Sequence, residues 1–72
     1  MPVVRYVDRT HAISVRCDGP NDAVAALVER LRSSPGASGA LAAASCFVAA
    51  CVAAGWRAYA SPESTADLTV DV

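Results

Sequence analysis

Residues 33–56 read SSPGASGALAAASCFVAACVAAGW and carry no charged side chain. The helical part of this stretch, from about Ala37 to Ala54, is apolar or small on every side. Such a helix has no face to give to water and must be covered all round by protein or by lipid. At about 100° per residue, Leu41, Ser45, Val48 and Val52 fall on one side, flanked by Phe47 and Cys51, and this side is expected to rest on a sheet. Opposite runs a row of small residues, Ala42, Cys46, Ala49 and Ala53. Small side chains let another helix backbone come close, which raises the number of dispersion contacts per turn. These four residues are the expected interface of a two-fold homodimer, since a self-complementary patch covers itself. Ser38 is the expected cap of this helix and Gly55 its stop.

Upstream, Val3 to Cys17 reads as a β-hairpin. With Arg9 and Thr10 at the centre of the turn, Tyr6 pairs with Ile13 and Val4 with Val15. One face then carries Val4, Tyr6, Ile13, Val15 and Cys17; the other carries Val3, Arg5, Val7, Ala12, Ser14 and Arg16. Asp18-Gly19-Pro20-Asn21-Asp22 starts a first helix, with proline pre-set for its first turn and acidic side chains at the positive end of its dipole. Val24, Leu27, Val28 and Leu31 give that helix an ordinary apolar stripe, and Ser33-Ser34-Pro35-Gly36 ends it.

Downstream, Trp56 to Ala60 has strand-forming aromatics. Ser61-Pro62-Glu63-Ser64-Thr65 follows as a loop or a single helical turn. Leu68, Val70 and Val72 then alternate with Asp67, Thr69 and Asp71 as a half-buried strand. The expected fold is α+β: a two-layer ββααββ arrangement in which a small antiparallel sheet packs against two helices, dimeric through the second helix.

A chain of 72 residues makes one domain, spanning residues 1–72. At that size a solitary core is marginal without a partner subunit, a metal or a disulfide. Hydrophobic residues reach 54 %, but alanine supplies much of this and large apolar side chains are few. The net charge of −1 gives no polybasic footprint for nucleic acid. Cys17, Cys46 and Cys51 are odd in number and lack metal-ligand spacing, which fits buried thiols in a reducing compartment. With no secretory leader at Met1-Pro2-Val3-Val4-Arg5, a cytoplasmic location is expected. The uncharged window is long enough to cross a bilayer. Only Leu41, Phe47, Val48 and Val52 in it are strongly apolar, so membrane insertion is disfavoured and a single-span protein is the third reading.

His11 sits at the hairpin turn with Asp8 nearby, but neither a nucleophile nor a pocket accompanies it. The expectation is no enzyme, no catalytic residue, no metal site and no cofactor. On the outer hairpin face, Arg5, Ser14 and Arg16 project together as candidates for contact with a macromolecule. From Ala12-Ile13-Ser14-Val15-Arg16 through the two helices, the order of elements resembles that of the ribbon-helix-helix repressors. The resemblance implies a strand paired between subunits in the DNA major groove, with Ala12, Ser14 and Arg16 facing the bases and the second helix in the dimer core. A preceding strand, further strands after the helices and the lack of net positive charge all depart from that pattern. The first reading is therefore a non-enzymatic module that acts as a homodimer and binds another macromolecule, a protein before a nucleic acid.

Overall fold

A computed structural model describes residues 2–33, 39–62 and 68–71. β1 (Val3–Val7) and β2 (Ala12–Cys17) form the expected hairpin, with Val4 opposite Val15 and Tyr6 opposite Ile13. Its turn is closed by the Asp8 N–H donating to the His11 carbonyl at 2.9 Å. The Asp8 carboxylate accepts the N–H groups of Thr10 at 2.7 Å and His11 at 2.8 Å. A side chain thus supplies the turn chemistry that an Asn-Gly pair gives elsewhere. Period-two alternation places Val4, Tyr6, Val15 and Cys17 in the core, with Ile13 half-buried.

α1 (Asn21–Arg32) begins after Pro20, whose carbonyl accepts the Val24 N–H at 2.9 Å. Asp22 in its first turn and Arg30 and Arg32 in its last turn suit the helix dipole. Val24, Leu27 and Val28 are buried and Leu31 packs at the margin, as the apolar stripe predicts.

α2 (Ala40–Ala53) corrects the expected rotation. Its buried face is Ala40, Ala43, Ala44, Phe47 and Cys51, whereas Leu41 and Val52, expected on the sheet, are 58 % and 62 % exposed. Ser45 is exposed as well and Val48 is half-buried. A helix that is apolar all round has no preferred face, so fit decides. Three alanines let the helix axis come down onto the sheet, and Phe47 fills the remaining depth with its ring centroid 6.0 Å from that of Tyr6. At the far end the Trp56 N–H reaches back to the Cys51 carbonyl at 2.9 Å and the Gly55 N–H to that of Val52 at 3.0 Å. Gly55 takes φ 87°, so this is the glycine stop that the sequence predicts. The predicted cap, Ser38, lies outside the described residues; Gly39 occupies the cap position and offers no side chain.

β3 (Ala58–Ser61) pairs antiparallel with β2, and β4 (Leu68–Asp71) pairs with the other edge of the hairpin, in the order β3-β2-β1-β4. β4 runs parallel to β1, so the sheet is mixed and not wholly antiparallel as expected. Between Ser61 and Leu68 the chain must cross three strand spacings, roughly 14 Å, well within the reach of six intervening residues. The crossing sets Leu68 beside Val4 in the inner row Leu68–Val4–Val15–Ala60. The segment 63–67, the side chains of Val70 and Asp71, and residue 72 lie outside the described residues.

Both helices share the inner face of the sheet. Their outer ends are tied where α1 starts and α2 stops. Asp18 and Arg57 join by backbone N–H to carbonyl at 3.1 Å, and the Arg57 N–H donates to the Asp18 carboxylate at 2.7 Å. Beside them the Trp56 ring lies so close to Gly19 that a Cβ there would stand 2.6 Å from it. Only glycine admits that approach.

Truncating Phe47 to alanine should cost about 3–5 kcal/mol, a large part of the stability of so small a domain. The expected result is loss of the cooperative urea transition in Phe47→Ala, while Phe47→Leu keeps a transition at a lower midpoint.

Candidate interaction surface

Around α2, the residues turned away from the core run from Leu41 through Val52, Ser45, Ala49, Ala42 and Ala53 to Cys46. They form an arc of about 140°, and all seven are exposed in the single chain. The arc includes the whole predicted row Ala42, Cys46, Ala49 and Ala53. It also includes Leu41, Ser45 and Val52, which the sequence assigns to the sheet. No charged residue stands anywhere on α2. The helix has 14 residues, about 21 Å of rise against a hydrocarbon core of about 30 Å. Among the described residues no helix is long and apolar enough to cross a membrane.

Under the Leu41 side of the arc, an open groove of about 390 Å³ separates α2 from β2 and β3, with Ile13, Leu41, Ser45, Val48, Ala49 and Ala60 among its walls. Ala60 points to the inner side of β3 yet is exposed, at the mouth of this groove. On the other face of the same strand Tyr59 is 55 % exposed. Among the described residues the exposed large apolar side chains are Leu41, Val52 and Tyr59, and all three belong to α2 or to the strand beside it. Nothing in the local sequence marks Tyr59 as different from a core aromatic; only its register opposite Arg16 puts it on the outer face.

The outer sheet face does not bring Arg5, Ser14 and Arg16 forward together. Arg16 is exposed between Val3 and Tyr59, and Arg5 is half-buried. Ser14, between Arg5 and Ser61, is only 1 % exposed. A strand pattern assigns a face, but not how deeply each residue on that face is buried. Arg57, opposite Asp18 just before β3, is exposed.

The titratable groups serve the frame. The Asp8 carboxylate accepts the N–H of Ala40 at the start of α2 as well as those of Thr10 and His11. These donors, Ala40 foremost, hold its carboxyl well below the usual carboxylate range. Asp8 thereby caps α2 from the hairpin turn, in place of a local cap. His11 is exposed, its Nδ1 2.8 Å from Thr10 Oγ1 and 3.6 Å from the Asp8 carboxylate. Burial pushes the Tyr6 hydroxyl up to about 12. Burial, with the Cys17 thiol beside it, pushes the Cys51 thiol up to about 12. Both stay protonated at neutral pH and act as core. Cys46, in contrast, stands in the open arc.

Comparison with protein-family models, curated proteins and solved structures finds no match.

Asp8 lies lower in the folded chain than its unfolded value of about 3.9. Its contribution is complete above about pH 4 and is lost as pH falls further, toward the folded value. Urea titrations between about pH 5 and pH 2 should show a steeper loss of stability for the native chain than for Asp8→Asn. Equal slopes would remove Asp8 as the cap of α2.

Proposed function

We propose that this protein is a non-enzymatic binding module whose working form is a homodimer built on α2. The observation behind it is the uncharged arc from Leu41 to Cys46, too wide and too apolar for a helix meant to face water. A two-fold axis laid across Ala42, Cys46, Ala49 and Ala53 sets small side chain against small side chain and lets the two helices approach closely. The corner of the outer sheet face where Arg16 and Tyr59 are exposed is then left open to another macromolecule, and a protein partner fits its mixed aromatic and charged character.

The ribbon-helix-helix arrangement is not favoured by the strand order. β2 is bonded to β1 on one side and to β3 on the other, which leaves it no edge for a strand from a second subunit.

Sedimentation at low micromolar concentration should give a dimer for the native chain. Ala49 is exposed in the subunit, so Ala49→Glu should fold and yet sediment as a monomer, its dimer affinity down at least about 100-fold through a buried, unpaired charge. A native chain that sediments as a monomer would sink this reading. Salt-sensitive retention on DNA that disappears in Arg16→Ala would replace the protein partner with a nucleic acid.

A further inference from the structure

We infer that β3 belongs to the dimer interface: its open edge pairs antiparallel with β3 of a second copy, so that two four-stranded sheets continue as one while α2 meets α2 above the seam through the Leu41, Ser45 and Val52 side of its arc. This rests on the reading of a homodimer through α2, moves its axis from the Ala42, Cys46, Ala49 and Ala53 row to the Leu41 side of the same arc, and extends the contact to the sheet.

The phase of the edge follows from one bond. The Asp18 N–H donates to the Arg57 carbonyl, which makes these two a bonded pair at the head of the β2–β3 ladder. Bonded and non-bonded pairs alternate along an antiparallel ladder. Tyr59 and Ser61 therefore spend their backbone groups on Arg16 and Ser14, and Ala58 and Ala60 turn theirs to the open side. The far side of β2 agrees, because the Cys17 N–H donates to the Pro2 carbonyl and so points toward β1. Among the described residues no strand lies beyond β3. Its four residues, Ala58 to Ser61, include no lysine, proline or other charge, the devices that keep an exposed edge from pairing.

Charge and symmetry select a second copy as the occupant. Near a two-fold axis every side chain faces its own kind, so a charge there meets a like charge. α2 and β3 have none to set against each other. The nearest charge is Arg57, immediately before the strand, and antiparallel pairing sends the two copies of it to opposite ends of the seam. The same operation brings the Leu41, Ser45 and Val52 side of the arc and the groove by Leu41 and Ala60 under cover together. A single foreign strand on β3 would fill the groove but bring no helix to cover Leu41 and Val52.

Amide hydrogen exchange on the native dimer, compared with Ala49→Glu, tests this directly. The amides of Ala58 and Ala60 should exchange at least about tenfold more slowly in the dimer, while Tyr59, bonded within the chain, is protected in both. Ala60→Pro removes only an outward N–H and is compatible with an edge strand. It should keep the monomer's circular dichroism and weaken the dimer at least about tenfold. A native dimer in which Ala58 and Ala60 exchange as fast as in Ala49→Glu, or an Ala60→Pro chain that dimerises undiminished, overturns the strand pairing and leaves the α2 dimer standing. A native monomer overturns both. Protection of Ala58 and Ala60 in the Ala49→Glu monomer overturns the strand pairing alone, since the chain would then be covering its own edge.

Discussion

Close contact between α2 and the sheet is the constraint on which the rest of the structure turns. Ala40, Ala43 and Ala44 present almost no side chain, so the helix backbone settles near the strands and Phe47 and Cys51 reach down to Tyr6, Val15 and Cys17. Dispersion falls steeply with small gaps, so an approach of this kind yields a dense core from few large residues. That matters in a chain where alanine makes up so much of the apolar content. The remainder of the fold keeps the helix in place: Asp8 holds its first turn, the glycine stop at Gly55 turns the chain back, and α1 leans on one flank.

The same choice of residues creates the exposed arc. A helix lacking charges buries whichever side fits the sheet best, and the bulkier Leu41 and Val52 are left outside because they would hold the backbone off. Monomeric proteins rarely leave a wide continuous apolar strip bare. Here the strip borders the β3 edge, beyond which no strand lies among the described residues, and the two deficits meet along one side of the sheet.

Much of the hairpin and of α1 is legible in the sequence, because their signals are local and periodic. Ile13, Val15 and Cys17 alternate strictly with Ser14 and Arg16, and Val24, Leu27 and Val28 recur once per turn. The rotation of α2 is not legible in that way. With apolar residues on all sides, periodicity gives no direction, and weighting by size points to Leu41 and Val52 when packing chooses the alanines. The pairing of β4 is hidden for a different reason: a parallel partner leaves no mark in adjacent sequence, and only the register beside Val4 reveals it. Asp8 and Ala40 are 32 positions apart, so a carboxylate that reads as turn chemistry turns out to hold a helix as well. Of the outer face, Arg16 is legible, whereas the burial of Ser14 is not, because alternation assigns a face and not the depth of burial on it.

The indole resting on Gly19 has a wider meaning. Trp56 is the chain's sole tryptophan, and it sits where the first helix begins, the second ends and the third strand departs. No room remains between ring and backbone, so the two positions are tied sterically: bulk added at one is tolerated only if bulk is shed at the other. Evolution can alter this corner by paired exchange and hardly by single steps. The ring's fluorescence, in turn, is a built-in gauge of whether the corner is closed.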